Sequence, residues 1–198
     1  MKVRINKNCH LASNQFTGLR LNLFGTGTMA AMISFGKDAI YETKDVVNQD
    51  DWNKLFGASW GLFPLAKQFQ MKINSSRWSW RWKPELECFQ VAPYVHQNGM
   101  TIWAELGNFP IINLKVDEKI FLIVNPQQDK QIVNFRYSKS IRSSFLHTYP
   151  VIDDFQTFSF SQSIPSLAGF SAPGYFGGDE KAPKQIIYSF EKVNAWIG

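Results

Sequence analysis

Cysteine and histidine are scarce in this sequence of 198 residues, which contains 2 Cys and 3 His. Cys9 and Cys88 lie far apart and belong to no Cys-x-x-Cys or Cys/His cluster. This pattern argues against a disulfide framework and against a structural zinc site. The histidines His10, His96 and His147 are too widely separated in sequence to indicate a metal cluster.

Long hydrophobic runs and blocks of one charge are also absent. The start, MKVRINKNCH, lacks the apolar stretch of a signal peptide, and no later window approaches membrane-spanning length. We therefore expect a soluble chain without a membrane partner, and its compartment stays open. The net charge of +5 suits an anionic partner, but the basic residues are scattered, so we expect no nucleic-acid partner.

Several motifs of common enzymes and metal sites are missing. There is no Gly-x-Ser-x-Gly elbow, no phosphate-binding glycine loop and no Glu-x-Asp-x-x-Glu pattern of a glycosidase, and Glu85 and Glu87 fit surface charges. The acidic pairs Asp50–Asp51, Asp153–Asp154 and Asp179–Glu180 are typical of N-caps or solvated turns. We expect no cofactor, with calcium binding by loop carboxylates as the alternative.

Aromatic residues and period-two alternation are abundant instead. The chain has 17 Phe and 7 Trp, an excess that favours strands. Alternation predicts a strand at Leu19–Leu23, a buried strand within Gly25–Phe35, two strands in Ile120–Tyr137 and a closing strand near the end. Short strands separated by turns, with little helical periodicity, predict an all-β sandwich or barrel and a single domain over residues 1–198.

Two segments depart from this alternation. Asn48–Asp51, followed by Trp52, Leu55 and Phe56, resembles a capped short helix or turn. The segment 141–163 is rich in Ser and Phe and has an irregular pattern, so we interpret it as an insertion near the end of the domain.

The stretch NSSRWSWRW, residues 74–82, places tryptophan at every second position. On a strand, Trp78, Trp80 and Trp82 face one side, and the residues between them face the other. A loop over Lys83–Leu86 would pair Trp82 with Glu87, Trp80 with Phe89 and Trp78 with Val91, before a hairpin turn at Asn98–Gly99.

The opposite face of this hairpin is polar and is our candidate ligand site. The tryptophan face is most simply the core, because three exposed adjacent tryptophans would favour aggregation. Guanidinium, amide, phenol and imidazole groups on the polar face suit a glycan bound in a concave groove, although a solvated outer face is the simpler interpretation. The candidate residues are Arg77, Ser79, Arg81, Gln90, Tyr94 and His96.

Three segments resemble an uncharacterised family of bacterial proteins. They are DAIYETKDVVNQDDWNKLFG, NSSRWSWRWKPELECFQVAPYVHQNG and GYFGGDEKAP, spread with gaps over roughly Asp38 to Phe190. The resemblance implies a concanavalin A-like fold, that is, a two-sheet antiparallel jelly-roll β-sandwich with little helix. It implies no activity.

The same chain also resembles alginate-lyase-type polysaccharide lyases, which have a jelly-roll fold. Their Arg-x-Glu-x-Arg, Gln-x-His and Tyr-Phe-Lys-x-Gly strands correspond to Arg77–Arg81, Tyr94–His96 and Tyr175–Gly178. The resemblance implies that Arg77, Arg81, His96 and Tyr175 neutralise a uronate carboxylate and transfer protons in β-elimination.

Departures from the lyase pattern disfavour an enzyme. Ser79 replaces the glutamate, Tyr94 replaces the glutamine and Gly177 replaces the lysine. Our main hypothesis is therefore a non-catalytic, lectin-like domain that binds a glycan or another surface polymer, including an acidic polysaccharide. The alternatives are a uronate lyase and a structural or virion assembly protein that uses the Phe-rich region 145–160 to contact copies of itself or another partner.

Overall fold

The computed structural model describes residues 1–13, 21–22, 27–60, 73–142, 151–164, 169–172 and 174–192. Two large antiparallel sheets dominate. The first sheet has six strands, in the spatial order β1 (Lys2–Ile5), β15 (Ile186–Lys192), β3 (Met29–Ser34), β9 (Lys119–Gln127), β10 (Ile132–Ser138) and β13 (Gln156–Ser161).

The second sheet has seven strands and carries the Trp-rich hairpin. In spatial order it contains β2 (Leu21–Asn22), β14 (Gly169–Ala172), β4 (Asn53–Trp60), β5 (Ser75–Lys83) and β6 (Cys88–Gln97), and both β7 (Met100–Ile102) and β8 (Ile112–Leu114) pair with β6. Strands that are distant in sequence pair with each other, as β1 does with β15, and such pairing is typical of a jelly roll. The predicted all-β, antiparallel jelly-roll sandwich is confirmed.

Helix is confined to short turns. The described residues contain three 3-10 helices (Lys37–Ala39, Val46–Asp50 and Pro84–Leu86) and the single α-helical turn α1 (Ala104–Gly107). Within those ranges, none of the helices has the length and apolar character needed to cross a membrane.

Aromatic side chains from both sheets meet in the core. Trp78 and Trp80 are fully buried, as predicted. The Trp80 ring stacks on Phe35 at a centroid distance of 4.7 Å, and Trp78 meets Phe135 edge-on at 5.4 Å. The Trp78 indole also donates a hydrogen bond of 2.9 Å to the carbonyl of Ile123 in the first sheet. The tryptophans of β5 therefore join the two sheets.

The predicted register of the Trp-rich hairpin is wrong by two residues. Trp82 pairs with Phe89 rather than Glu87, and Trp80 pairs with Val91 rather than Phe89. The reason lies in the turn, where Pro84–Leu86 forms a 3-10 helix and Glu87 adopts a left-handed conformation with φ 48°. Because a shift of two residues preserves the alternation, the predicted faces are correct.

Other local predictions also have clear outcomes. The buried strand within Gly25–Phe35 is β3, and the Asn98–Gly99 turn joins β6 to β7 with positive φ at both residues. The short helix is present, but it is Val46–Asp50 with Asp45 as its N-cap. Leu55 and Phe56 belong to strand β4 and not to the helix. Both faces of β4 are buried, so its sequence lacks the alternation that predicts a strand. Most of the predicted strand at Leu19–Leu23 lies outside the described residues.

The described part of 141–163 covers the outer face of the first sheet. A small sheet of β11 (Ser140–Arg142) and β12 (Val151–Asp153) lies over an apolar cluster, and β13 forms an edge of the six-stranded sheet. Ile141, Ile152 and Phe155 pack on this cluster, which consists of Ala30, Met32, Phe121 and Ile123. That this segment is an insertion stays a prediction.

Candidate functional site

A cleft of about 520 Å³ lies beside the polar face of β5 and β6. Its walls come from residues that are distant in sequence: the end of the Val46–Asp50 helix, the start of β4, the two hairpin strands, and the segment from β7 into α1. The lining residues are Asp50, Asp51, Trp52, Lys54, Arg81, Tyr94, Thr101, Trp103, Glu105 and Gly178.

Arg81 is held on one side of this cleft by charge and aromatic contacts. Its guanidinium lies 4.2 Å from the centroid of the Trp52 ring and forms a 2.6 Å ion pair with Glu105. The Trp52 indole donates to the second oxygen of Glu105 at 3.1 Å. Glu105 thus binds both groups, and the three side chains form a pre-organised unit.

Two further hydrogen bonds hold the Arg81 guanidinium. Its Nε donates to Gln90 Oε1 at 2.9 Å, and its Nη1 donates to the carbonyl of Asp50 at 3.0 Å. Gln90 in turn donates to Asn113 at 3.0 Å. Gln90, which lies directly opposite Arg81 in the strand register, therefore orients the Arg81 guanidinium.

Lys54 and Tyr94 form the other side of the cleft. The Lys54 ammonium donates to the Trp52 carbonyl at 2.7 Å and lies 4.2 Å from the centroid of the Tyr94 ring. Burial raises the pKa of Tyr94, while the charge of Arg77 opposes the rise. The Tyr94 phenol is consequently neutral at physiological pH and can donate or accept a hydrogen bond.

Trp103 is the exposed aromatic residue of the cleft. It follows β7 and precedes α1, and 41% of its surface is accessible. By contrast, Trp52 is buried beneath Arg81. The cleft therefore presents one open indole beside fixed charged and hydroxyl groups.

Of the six candidate residues, Arg81 and Tyr94 line this cleft. The polar face does not form an open groove, because Arg77, Ser79, Gln90 and His96 are buried along with the tryptophan face. Ser79 donates to the Ala92 carbonyl at 2.8 Å. The assignment of the six residues to ligand binding stays a prediction.

His96 is engaged inside the protein. Its Nδ1 lies 3.0 Å from Ser75 Oγ in a hydrogen bond, and its ring meets Tyr94 at a centroid distance of 5.3 Å. Gln162 donates to the His96 carbonyl at 2.8 Å and accepts a hydrogen bond from Ser76. Residues that follow β13 therefore cover this end of the hairpin.

Arg77 is buried on the polar face of the hairpin, at the register position opposite Tyr94. Burial lowers its pKa to about 10, and Tyr94 and Tyr175 interact with its charge. The guanidinium remains charged at neutral pH. Gly57, opposite Arg77 in the register, leaves it room, since a Cβ there would lie 2.8 Å from Arg77 Cγ.

Tyr175 is partly exposed and stacks on His10 with a centroid distance of 5.0 Å. Its backbone exchanges hydrogen bonds of 2.7 and 2.8 Å with Lys54, which attaches the Gly-rich segment to β4. Of the four lyase-like residues, Arg77 is thus near Tyr175, whereas Arg81 is bound to Glu105 and His96 to Ser75.

The predicted Gly-rich turn forms part of the cleft wall. Gly178 has φ 74°, and a Cβ built on it would lie 1.8 Å from a carboxylate oxygen of Asp51. The Gly177 amide donates to Asn53 at 2.7 Å. The two glycines therefore let this segment lie directly against the residues that begin β4.

The acidic pairs have specific contacts. Asp50 forms a 2.5 Å ion pair with Lys83, and Glu180 accepts hydrogen bonds from the backbone amides of Lys44 and Asp45. Among the residues that the structure describes, no three His, Cys, Asp or Glu side chains form a group suited to a metal ion. Calcium binding stays a prediction.

Sequence reasoning missed Trp103, Lys54, Thr101 and Glu105. The available signal was an isolated Trp-Ala-Glu directly after the β7 strand, where an aromatic residue leaves the alternating pattern.

The Phe-rich region proposed as an interface is partly covered: Phe158 and Phe160 pack edge-on against Phe109. Phe145 lies outside the described residues.

Comparisons with known proteins give weak similarities. No protein-family model matches the chain, and no curated protein sequence matches it. One similar solved structure is CG-16, a homodimeric agglutinin from chicken liver, with 7% identity, a TM-score of 0.33 and coverage of 94% of this chain and 99% of that chain. Another is peanut lectin with a 9mer peptide, with 11% identity, a TM-score of 0.38 and coverage of 98% of both chains. With TM-scores this low, neither similarity assigns a ligand to this chain.

Proposed function

We propose that this protein is a non-catalytic, lectin-like domain that binds a glycan in the cleft beside Trp103. The observation that carries the proposal is the exposed indole of Trp103 in a cleft that also holds Arg81, Glu105 and Thr101. Binding sites for small ligands combine apolar or aromatic surface with a few fixed polar groups. An indole face can cover the apolar side of a sugar ring while the polar groups bind its hydroxyls.

Pre-organisation supports this proposal. Arg81 and Glu105 hold each other, and Trp52 and Gln90 hold both in place. Binding then requires little ordering of side chains, which reduces the entropic cost of association. Glu105 still exposes 44% of its side chain, so its carboxylate can also accept hydrogen bonds from a ligand.

The charges of the cleft favour a neutral glycan. Arg81 exposes only 9% of its side chain, and the Lys54 ammonium is bound to the Trp52 carbonyl. The more accessible charges are carboxylates, those of Asp50 and Glu105. An acidic polysaccharide would meet these carboxylates first, and like charges at close range oppose binding.

A glycan array tests the proposal. We expect the wild-type protein to bind a subset of neutral glycans and the Trp103→Ala variant to lose that binding. Leu86→Ala is the matched control, because Leu86 is exposed but lies in the turn after β5, away from the cleft lining. Equal binding by wild type and Trp103→Ala would reject the site, and loss of binding in both variants would point to a general surface effect.

A uronate lyase is the second candidate, because the buried Arg77 interacts electrostatically with Tyr175 and with Tyr94, which lines the cleft. The charge of Arg77 lowers the pKa of both phenols against the effect of burial, which would help a phenol to transfer a proton. Incubation with alginate and other uronate polymers, monitored for absorbance of unsaturated ends, tests this activity. Product formation that Tyr175→Phe abolishes would replace the non-catalytic proposal.

A further inference from the structure

A second cleft lies on the outer face of the six-stranded sheet, away from the Trp103 cleft. Its volume is about 390 Å³, and it lies beside the small sheet of β11 and β12 that covers the adjoining apolar cluster. Its lining includes Thr28, Asn125, Gln127, Asn134, Arg136 and Thr157, a set of amide, hydroxyl and guanidinium groups without a carboxylate.

The strand register brings two amides of this outer cleft together. Asn125 of β9 is directly opposite Asn134 of β10, and Ser159 of β13 is opposite Asn134 on its other side. The Ser159 hydroxyl donates to the side-chain oxygen Oδ1 of Asn134 at 2.7 Å, and the Thr28 hydroxyl donates to Oδ1 of Asn125 at 3.0 Å. Both side-chain oxygens are therefore engaged as acceptors, and the NH₂ groups of the two amides are the donors that these residues offer to a ligand.

Arg136 supplies the charge of the outer cleft. It is two residues beyond Asn134 on β10 and so lies on the same face, about 7 Å further along the strand. Its guanidinium lies 4.5 Å from the centroid of the Phe155 ring, a contact that orients it. Within the part of the chain that the structure describes, no carboxylate lies within ion-pair distance of Arg136.

We propose that this outer cleft binds the anionic group, a carboxylate or a sulfate ester, of an acidic polysaccharide. An oxyanion between Asn134 and Arg136 would accept hydrogen bonds from an amide and a guanidinium at once, and charge-assisted bonds of this kind are the strong ones. The hydroxyls of Thr28 and Thr157 and the amide of Gln127 are placed for the neighbouring sugar hydroxyls. The outer cleft is independent of the Trp103 cleft and has the opposite charge preference.

Calorimetric titration with three oligosaccharides of equal length tests the outer cleft: a galacturonate oligomer, a sulfated oligomer and a neutral oligomer. We expect the wild type to bind an acidic oligomer, and the response to carboxylate or sulfate identifies the preferred group. Arg136→Gln should weaken this binding about tenfold or more. Lys119→Gln, which removes an exposed charge at the far end of β9, should have a much smaller effect.

A second substitution keeps the outcome clear if Arg136→Gln disturbs the packing on Phe155. Asn134→Asp preserves the shape and still accepts the hydrogen bond from Ser159, but it places a negative charge in the outer cleft. It should abolish binding of the acidic oligomer, whereas Trp103→Ala should leave that binding intact. Absence of wild-type binding to both acidic oligomers, or equal losses in Arg136→Gln and Lys119→Gln, would overturn the proposal.

Discussion

Arg81 and Glu105 form a 2.6 Å ion pair that joins strand β5 to the helical turn α1 across one side of the Trp103 cleft. The arginine is nearly buried and the glutamate is half exposed. The pair therefore has a structural consequence, because removal of Glu105 leaves a buried guanidinium with one fewer partner.

Glu105→Ala should lower the free energy of unfolding by about 1–2 kcal/mol, a value reduced by the exposure of Glu105 to solvent. Urea denaturation measures the change. The matched control is Glu42→Ala, since Glu42 is an exposed acid; it should stay within about 0.5 kcal/mol of wild type. Equal stability of the two variants would contradict the role of the pair.

Gly178 and Gly99 provide a comparison of two glycines with similar positive φ angles, which would strain any other residue. Their φ angles are 74° and 81°, but a Cβ at Gly99 meets no atom within 4 Å, whereas one at Gly178 meets Asp51. Gly99→Ala should cost about 1 kcal/mol for the left-handed backbone. Gly178→Ala should cost about 3 kcal/mol, because the steric clash adds to the strain.

The Gly178 prediction has an internal control in a double substitution. Asp51→Ala combined with Gly178→Ala removes the carboxylate from the clash, so the cost of the glycine substitution should fall toward that of Gly99→Ala. Urea denaturation of the wild type, the two single variants and the double variant gives this coupling energy. A coupling near zero would show that Asp51 does not enforce glycine at this position.

Substitution of Trp80 should lower stability, whereas substitution of Trp103 should affect binding with little loss of stability. Trp80 is fully buried between the sheets, so Trp80→Ala should cost about 3–5 kcal/mol. Trp103 leaves 41% of its surface accessible, and Trp103→Ala should cost less than Trp80→Ala, about 1 kcal/mol. Thermal unfolding compares the two, and a large loss of stability in Trp103→Ala would contradict its assignment to the cleft surface.

The alternation of β5 explains how much of this site was predictable. It correctly placed Trp78 and Trp80 in the core, and it placed Arg81 and Tyr94 together on the opposite face. It could not reveal that this face is covered, because the covering residues are distant in sequence. Asp50 lies 31 residues from Arg81, and Gln162 lies 66 residues from His96.

Position within a strand also says little about solvent exposure in a seven-stranded sheet. Loops and short helices that close over a sheet follow no period, so Trp103 and Glu105 gave no recurring pattern. The register error had a local cause, since the left-handed conformation at Glu87 is unusual for a residue other than glycine.

Asp51 should make stability depend on pH. Burial raises the pKa of Asp51 above its ordinary value of 3.8; the charge of Lys54 opposes this rise, and the smaller effects of Asp179 and Asp50 add to it. Because the folded protein then holds the proton more tightly than the unfolded chain, stability is lost as the pH rises from 3.8 through the raised pKa.

Asp51→Asn should remove this loss. The stability of the variant relative to wild type should increase with pH across that window and stay constant above it. Urea denaturation from acidic to neutral pH measures the difference, with Asp129→Asn, in the exposed turn after β9, as the baseline. A relative stability that falls with rising pH would mean that attraction to Lys54 outweighs burial.

The most direct test of the central claim is a calorimetric titration of wild-type protein and Trp103→Ala with the neutral oligosaccharide that binds best on the array. We predict saturable binding by the wild type and at least about a tenfold weaker Kd for the variant, which corresponds to 1.4 kcal/mol or more. An unchanged Kd in a correctly folded Trp103→Ala variant would contradict the assignment of glycan binding to this cleft.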